Sequence, residues 1–245
     1  MMKVAVILPA AGLGTRMQKA SAENAGISRK QFMLLDGVPI LVHTVRKFAA
    51  CPQVSEIVVA LRQEDLEWVD DLLKREHSRV PIRVVEGGNS RQQSVENAFA
   101  AVGPDTDLVA VHDAVRPFVE LDAITRAIEE AAHSGAAIVG IVPVDTVKQV
   151  SGAQAGGTKI RATILRERLV LAQTPQVFRH EVLRRAFAKA REDGFTGTDE
   201  SSLVERLEQI EVSVVMGSDR NIKITRPGDM DLARLFLEQE TAKPA

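Results

Sequence analysis

Apolar runs of strand length alternate with stretches of helical period along most of this 245-residue chain. Residues 4–8, 54–61, 82–85, 108–112 and 136–142 are each rich in Val, Ile, Leu and Ala. A strand with one wet face alternates apolar with polar residues. Near-continuous apolar runs are what strands covered on both faces require. Between these runs, residues 64–76, 90–102 and 121–133 carry apolar side chains at helical spacing, as with Leu66, Val69, Leu72 and Leu73. The βαβα order predicts an α/β fold: a mostly parallel, Rossmann-like sheet with helices on both faces and right-handed crossovers. The length suits one domain spanning 1–245.

The rhythm breaks after Pro143. Residues 146–150 and 159–164 alternate in character and flank a turn-rich centre, Gly152-Ala153-Gln154-Ala155-Gly156-Gly157. This predicts a hairpin over about 145–168 with a long tip. A lone hairpin has little core of its own, so it is expected to project as an arm and pack against a second subunit. A plain surface hairpin would give the same pattern. Further on, 170–178 reads as extended, 180–192 as a helix with Leu183, Phe187 and Ala190 inward, and Thr198 as the N-cap of another helix. Residues 212–216 read as a strand, 221–225 as a short extended piece and 229–240 as the closing helix, with no second enzyme expected behind it.

Composition narrows the partners. The net charge of −2 argues against a nucleic-acid or membrane surface and leaves room only for a local basic patch. No apolar stretch approaches the ~20 residues of a membrane span, and 4–8 is too short for a signal peptide, so a cytoplasmic location is expected. Cys51 is the single cysteine, so neither an intramolecular disulfide nor a cysteine metal cluster can form. The five histidines show no close pair suited to zinc, and no G-x-S-x-G nucleophile motif occurs.

In an open parallel sheet, ligands bind beyond the carboxyl ends of the strands. Four polar signals fall at such ends: the Gly12-to-Arg16 loop, Gly87-Gly88-Asn89-Ser90-Arg91, His112-Asp113-Ala114-Val115-Arg116, and Thr146 with Lys148. The first is a small, glycine-rich loop carrying one arginine. Its backbone N–H groups can approach phosphate oxygens, and the guanidinium adds a permanent charge. It is not a dinucleotide fingerprint, because Met17 stands where the third glycine belongs, and no Gly-Lys-Ser/Thr follows for a P-loop. Asp113 could hold a divalent cation that bridges phosphates, or serve as a turn aspartate. Lys30 and Arg16 could lean on a phosphate, or be solvated surface charge.

The ordered set of motifs closely resembles the 2-C-methyl-D-erythritol 4-phosphate cytidylyltransferase family. The matching stretches are Pro9-Ala10-Ala11-Gly12-x-Gly14-x-Arg16-Met17, Lys30-Gln31-Phe32, Gly87-Gly88-x-x-Arg91, His112-Asp113-Ala114-x-Arg116-Pro117, Thr174-Pro175-Gln176, Thr198-Asp199-Glu200 and Asn221-Ile222-Lys223-Ile224-Thr225. They run from the first strand almost to the last helix. The resemblance implies a nucleotide-diphospho-sugar-transferase-like sheet whose β-arm crosses to the partner in a homodimer. It implies transfer of CMP from CTP to methylerythritol phosphate, with release of pyrophosphate.

By that resemblance, Arg16, Lys30 and Lys223 would stabilise charge around the reacting phosphate, with magnesium spanning the triphosphate. Pro9, Ala10, Ala11, Gly12, Gly14, Gly88, Asn89, Ser94 and Ala114 would frame the nucleotide. Asp113, Arg116, Thr174 and Thr198 would hold the polyol phosphate, and Thr146 and Arg166 on the arm would reach the other subunit's substrate. One departure stands out. The family usually has a shorter link between the arginine and the lysine, with proline before the lysine. Here 13 residues, 17–29, separate Arg16 from Lys30, and Arg29 precedes the lysine. The insert is expected to be a mobile lid, and Arg29 could share the role of Lys30. Two alternatives stay open: a sister enzyme acting on another polyol phosphate such as ribitol 5-phosphate, and a catalytically silent nucleotide-binding module.

Overall fold

A computed structural model describes residues 2–12, 29–151 and 158–242. Seven strands form the central sheet: β1 (Val4–Pro9), β4 (Val54–Leu61), β5 (Ile82–Glu86), β6 (Leu108–Val111), β7 (Ala136–Ile141), β10 (Leu171–Arg179) and β11 (Ser213–Met216). Their order is β11-β7-β10-β6-β1-β4-β5. All neighbours pair in parallel except β10, which runs antiparallel to both β6 and β7. Two small hairpins stand apart, β2 (Leu34–Leu35) with β3 (Val38–Pro39) and β8 (Val147–Ser151) with β9 (Lys159–Ile164). The helices are α1 (Ile40–Ala49), α2 (Leu66–Lys74), α3 (Arg91–Ala101), α4 (Leu121–Ser134), α5 (His180–Glu192), α6 (Glu200–Val204) and α7 (Pro227–Thr241).

The continuous apolar runs are explained by what lies on each face. Val4, Val6 and Leu8 of β1 join one core with Leu41, Val45 and Phe48 of α1, Val69 and Leu73 of α2, and Ile124 and Ile128 of α4. Ala5 and Ile7 point the other way, into a core with Val95 of α3, Leu183 and Phe187 of α5, and Leu203 of α6. Strands β4, β6 and β7 divide in the same period of two. Helix α4 ends where Gly135 turns left-handed at φ 95°, and its N–H closes on the Ala131 carbonyl at 2.9 Å.

Two local expectations need correction. The helix expected over 64–76 opens with a separate 3-10 turn, Gln63–Asp65, and is helical only over Leu66–Lys74. The buried Asp65 side chain is committed to Arg29 and to Trp68. The N-cap of α6 is Asp199 rather than Thr198. Asp199 Oδ1 accepts the Ser202 N–H at 3.1 Å, and its Oδ2 accepts the Ser201 hydroxyl at 2.9 Å. The piece over 221–225 joins no sheet. It is pinned by tertiary bonds: Ile224 N–H to the Val115 carbonyl at 3.0 Å and the buried Asn221 amide to the Thr174 carbonyl at 2.9 Å.

Candidate active site at the strand ends

A cavity of about 260 Å³ opens beyond the carboxyl ends of β1, β4, β5 and β6. The first loop contributes Pro9, Ala10, Ala11 and Gly12, and the 3-10 turn Lys30–Phe32 adds Lys30 and Gln31. Arg62 comes from the end of β4, Gly88, Asn89 and Ser90 from the loop after β5, and Arg91 and Ser94 from α3. Asp113, Ala114 and Val115 follow β6, and Lys223 enters from the pinned 221–225 segment.

The β5 loop is held by the helix it feeds. Ser90 caps α3, its hydroxyl accepting the Gln93 N–H at 3.1 Å. Ser94 Oγ accepts the Gly88 N–H at 3.0 Å, and Gln93 Oε1 accepts the Asn89 N–H at 2.9 Å. Side chains on the two glycines would collide with protein. A Cβ on Gly87 would lie 2.7 Å from Ala11 Cβ, and one on Gly88 would lie 2.2 Å from Gln93 Cγ. The glycine pair thus lets the β5 loop close against both the β1 loop and α3.

Electrostatics centre on Asp113, a buried carboxylate meeting three cations. Lys223 Nζ lies 2.9 Å and Arg116 Nε 3.2 Å from Oδ2, while Arg91 Nε lies 3.5 Å from Oδ1. Burial alone would raise its pKa, but Lys223, Arg91 and Arg116 hold it well below the usual carboxylate range. Arg91 turns its other nitrogens to Glu200, bonding both carboxylate oxygens at 2.8 and 2.9 Å. Burial pushes Glu200 up, opposed by Arg91. Burial would also lower Arg91, yet Glu200 and Asp113 leave it raised. Behind Asp113, the buried Thr174 hydroxyl accepts the Asp113 N–H at 3.0 Å. His112 is fully buried, Nε2 facing the Arg116 carbonyl at 3.0 Å. Burial pushes its pKa down to about 4. A carbonyl can only accept, so Nε2 carries the proton of a neutral ring.

Of the residues expected from sequence, the cavity brings together Pro9, Ala10, Ala11, Gly12, Lys30, Gly88, Asn89, Ser94, Asp113, Ala114 and Lys223. Arg116 and Thr174 stand directly behind, against Asp113. Gly14, Arg16 and all of the expected 17–29 lid except Arg29 lie outside the described residues. Thr146, Thr198 and Arg166 are exposed and do not line the cavity. The fourth rim signal therefore does not converge with the other three: β10 separates β7 from β6, and the chain beyond β7 leaves in the hairpin. Lys148 bonds across that hairpin to Thr163 at 2.7 Å.

The expectation that Asp113 holds magnesium does not fit its surroundings. Both oxygens already face cations, which a dication would have to displace. Among the described residues no cluster of three His, Cys, Asp or Glu could hold a metal. Nor does Arg29 share the place of Lys30, since its guanidinium is committed to Asp65 while Lys30 lines the cavity. Sequence reasoning assigned no role to Gln31, Arg62, Ser90 or Arg91. Arg62 directly follows β4, so the strand-end rule pointed to it. Arg91 already stood in the Gly87-Gly88-x-x-Arg91 motif.

Residues 4–239 match the family described as 2-C-methyl-D-erythritol 4-phosphate cytidylyltransferase. The chain belongs to that family. It is a nucleotidyltransferase that moves the cytidylyl group of CTP onto 2-C-methyl-D-erythritol 4-phosphate in isoprenoid biosynthesis. A cytidylyltransferase of that name from Solibacter usitatus is 65% identical over 242 residues, covering 99% of this chain and 98% of the relative. One from Acidobacterium capsulatum is 54% identical, covering 99% and 100%. Among solved structures, 4-diphosphocytidyl-2C-methyl-D-erythritol synthase from Anaerococcus prevotii superposes with a TM-score of 0.83 at 27% identity, covering 97% and 96% of the two chains. The Thermus thermophilus cytidylyltransferase gives 0.73 at 32%, covering 97% and 100%. Both the silent-module and the ribitol-phosphate alternatives give way to this membership. No described helix of the cytidylyltransferase is long and apolar enough to cross a membrane.

Proposed function

We propose that the strand-end cavity is where the cytidylyl group changes hands, and that the chain works as one domain with the hairpin as its dimerisation arm. The observation that carries the site is charge. Lys30, Arg62, Arg91 and Lys223 line the cavity with Asp113 as the one carboxylate among its lining residues, on a chain whose net charge is −2. Such a local excess draws in a triphosphate.

A phosphate oxygen of the acceptor attacks the α-phosphorus of CTP in line. The new P–O bond forms as the bond to the bridging oxygen breaks, and pyrophosphate leaves with that electron pair. Negative charge grows on the transferring group and the leaving group, so placed cations and orientation supply the catalysis. Arg16, Lys30 and Lys223 are assigned to that charge. Pro9, Ala10, Ala11, Gly12, Gly14, Gly88, Asn89, Ser94 and Ala114 frame the nucleotide. Arg116, Thr174 and Thr198 belong to the acceptor side, where Asp113 also aims Lys223, Arg91 and Arg116. The described side chains do not furnish a magnesium site; magnesium accompanying CTP would ride on the triphosphate oxygens. The reaction is placed in the cytoplasm, where its nucleotide substrate is made.

The dimer reading is supported by apolar side chains that the subunit leaves uncovered. Val144 is 77% exposed, Ile160 65% and Leu165 63%, all on or beside the hairpin. A concentration of exposed apolar groups on a two-stranded hairpin marks an interaction surface. In a homodimer, the partner's copy of the arm would bring Thr146 and Arg166 to the acceptor.

The test is a pyrophosphate-release assay crossing CTP, UTP, ATP and GTP with methylerythritol phosphate and ribitol 5-phosphate, followed by a crystal soaked with CTP. CTP with methylerythritol phosphate is expected to give release, with the nucleotide bound at Gly12, Gly88 and Lys30. A nucleotide bound elsewhere overturns the site.

A further inference from the structure

The residues flanking Lys30 are both tied to neighbouring elements. Arg29 sets its two terminal nitrogens against the Asp65 carboxylate: Nη2 meets Oδ1 at 2.5 Å and Nη1 meets Oδ2. Asp65 is fully buried and also accepts Trp68 Nε1–H at 3.1 Å. The Arg29 guanidinium lies 5.5 Å from the Phe32 ring centre, and the Phe32 ring meets Trp68 edge-on at 4.6 Å. On the other side, the buried Gln31 amide donates to the Ala10 carbonyl at 2.6 Å and to the Gly12 carbonyl at 3.2 Å. Arg29 itself does not line the cavity, whereas Lys30 does.

A three-residue 3-10 turn has little stability of its own, and this one has no side-chain cap at its start. A lysine ammonium on a four-carbon stem is placed only as well as its backbone is held. We propose that Arg29 is a positioning residue for cytidylyl transfer: its forked bond to buried Asp65 clamps the entry of the Lys30 turn, so that the ammonium meets the charge developing on the transferring phosphate. Proline at this position would constrain the backbone directly; here an ion pair to a neighbouring element does the holding. A planar fork is needed, since lysine offers a point charge without the paired geometry. The inference rests on the reading that Lys30 serves the triphosphate.

A pair that only stabilises the fold would lower yield and melting temperature without a specific kinetic signature. A clamp acting through Lys30 instead falls silent once the ammonium is gone. The experiment is a double-mutant cycle of Arg29→Met and Lys30→Met, with Arg29→Lys and Asp65→Asn alongside. Each variant is assayed for kcat and for KM for CTP below its own melting temperature. Lys30→Met should lower kcat by roughly a hundredfold. Arg29→Met should lower kcat by about tenfold with KM for CTP moving less than about threefold, Asp65→Asn should follow it, and Arg29→Lys should recover only part. The double variant should be no slower than Lys30→Met within about twofold. Multiplicative losses in the cycle, or normal kcat in Arg29→Met, overturn the clamp. Normal kcat in Lys30→Met overturns the reading beneath it and the clamp together. If Arg29→Met does not fold, Arg29→Lys enters the same cycle, since it keeps a charge for Asp65 and loses the fork.

Discussion

Asp113 was expected to hold the polyol phosphate and Arg166 to reach the other subunit's copy of it, and the subunit treats the two in opposite ways. Asp113 is buried and meets three cations drawn from the start of α3, the loop after β6 and the 221–225 segment. Arg166 is exposed at the root of the hairpin and donates to the Val144 carbonyl at 2.6 Å. Among the described residues the rim charges around Asp113 are paired, and the loop after β5 is bonded to the helix it feeds. The arm is unfinished, with apolar groups in water and polar groups bonded within the arm and its root. On the proposed reading, that contrast divides the reaction between what folding supplies and what association would supply.

That contrast can be broken most sharply by unpairing the rim. Arg91→Ala would leave Glu200 buried without its partner, and denaturant unfolding should show a loss of about 3–5 kcal/mol. Arg161→Ala on the arm should stay within about 0.5 kcal/mol in the isolated subunit. Equal losses would mean the two regions are equally built.

The next effect is pH-dependent. The unfolded His112 imidazole takes a proton near pH 6.5, whereas in the folded protein burial delays this to about pH 4. Between those values the unfolded chain binds the extra proton, so stability falls as pH falls. The loss across that window is about 3 kcal/mol, and His112→Gln should remove it. The arm holds no histidine. A slope unchanged in the variant would assign the effect to other groups.

Chemistry comes third. Arg16→Ala in the rim loop should cut turnover by about a hundredfold, with a smaller change in CTP affinity. Arg166→Ala on the arm should raise KM for the polyol phosphate and leave CTP binding alone, read by steady-state kinetics and isothermal titration. Near-normal turnover in the first, or weakened CTP binding in the second, would erase the division of labour. The smallest effect in the folded subunit belongs to Ile160→Asp. It should weaken self-association by roughly tenfold or more in sedimentation equilibrium while CTP still binds. A wild-type chain that sediments as a monomer at micromolar concentration would remove the arm's role.

The strands were legible almost to the residue because their cause is local. A run covered on both faces must be apolar throughout, and 54–61 and 136–142 reappear as Val54–Leu61 and Ala136–Ile141. The loops at the strand ends were legible for the same reason, since the carboxyl end of each parallel strand has a fixed place. Asp113 was misread because two of its three cations, Arg91 and Lys223, lie far from it in the sequence and only Arg116 is close by. Arg91, Arg116 and Lys223 reach it from three separate elements. Arg29 was misread for the same reason: Asp65, which claims it, lies beyond α1 and β4 in the chain.

Hydrophobic period and glycine placement are properties of neighbouring residues, so the sequence by itself determined the layered α/β sheet, the hairpin and the family. Pairing among charges is a property of distance in space. Only the tertiary structure decided that Asp113 answers to cations rather than to a metal, that Arg29 anchors to Asp65 rather than facing phosphate, and that Thr146 and Arg166 stand outside their own subunit's cavity. The physical reason is that burial makes the partner of a charge decide its state, and the partner is chosen by the fold.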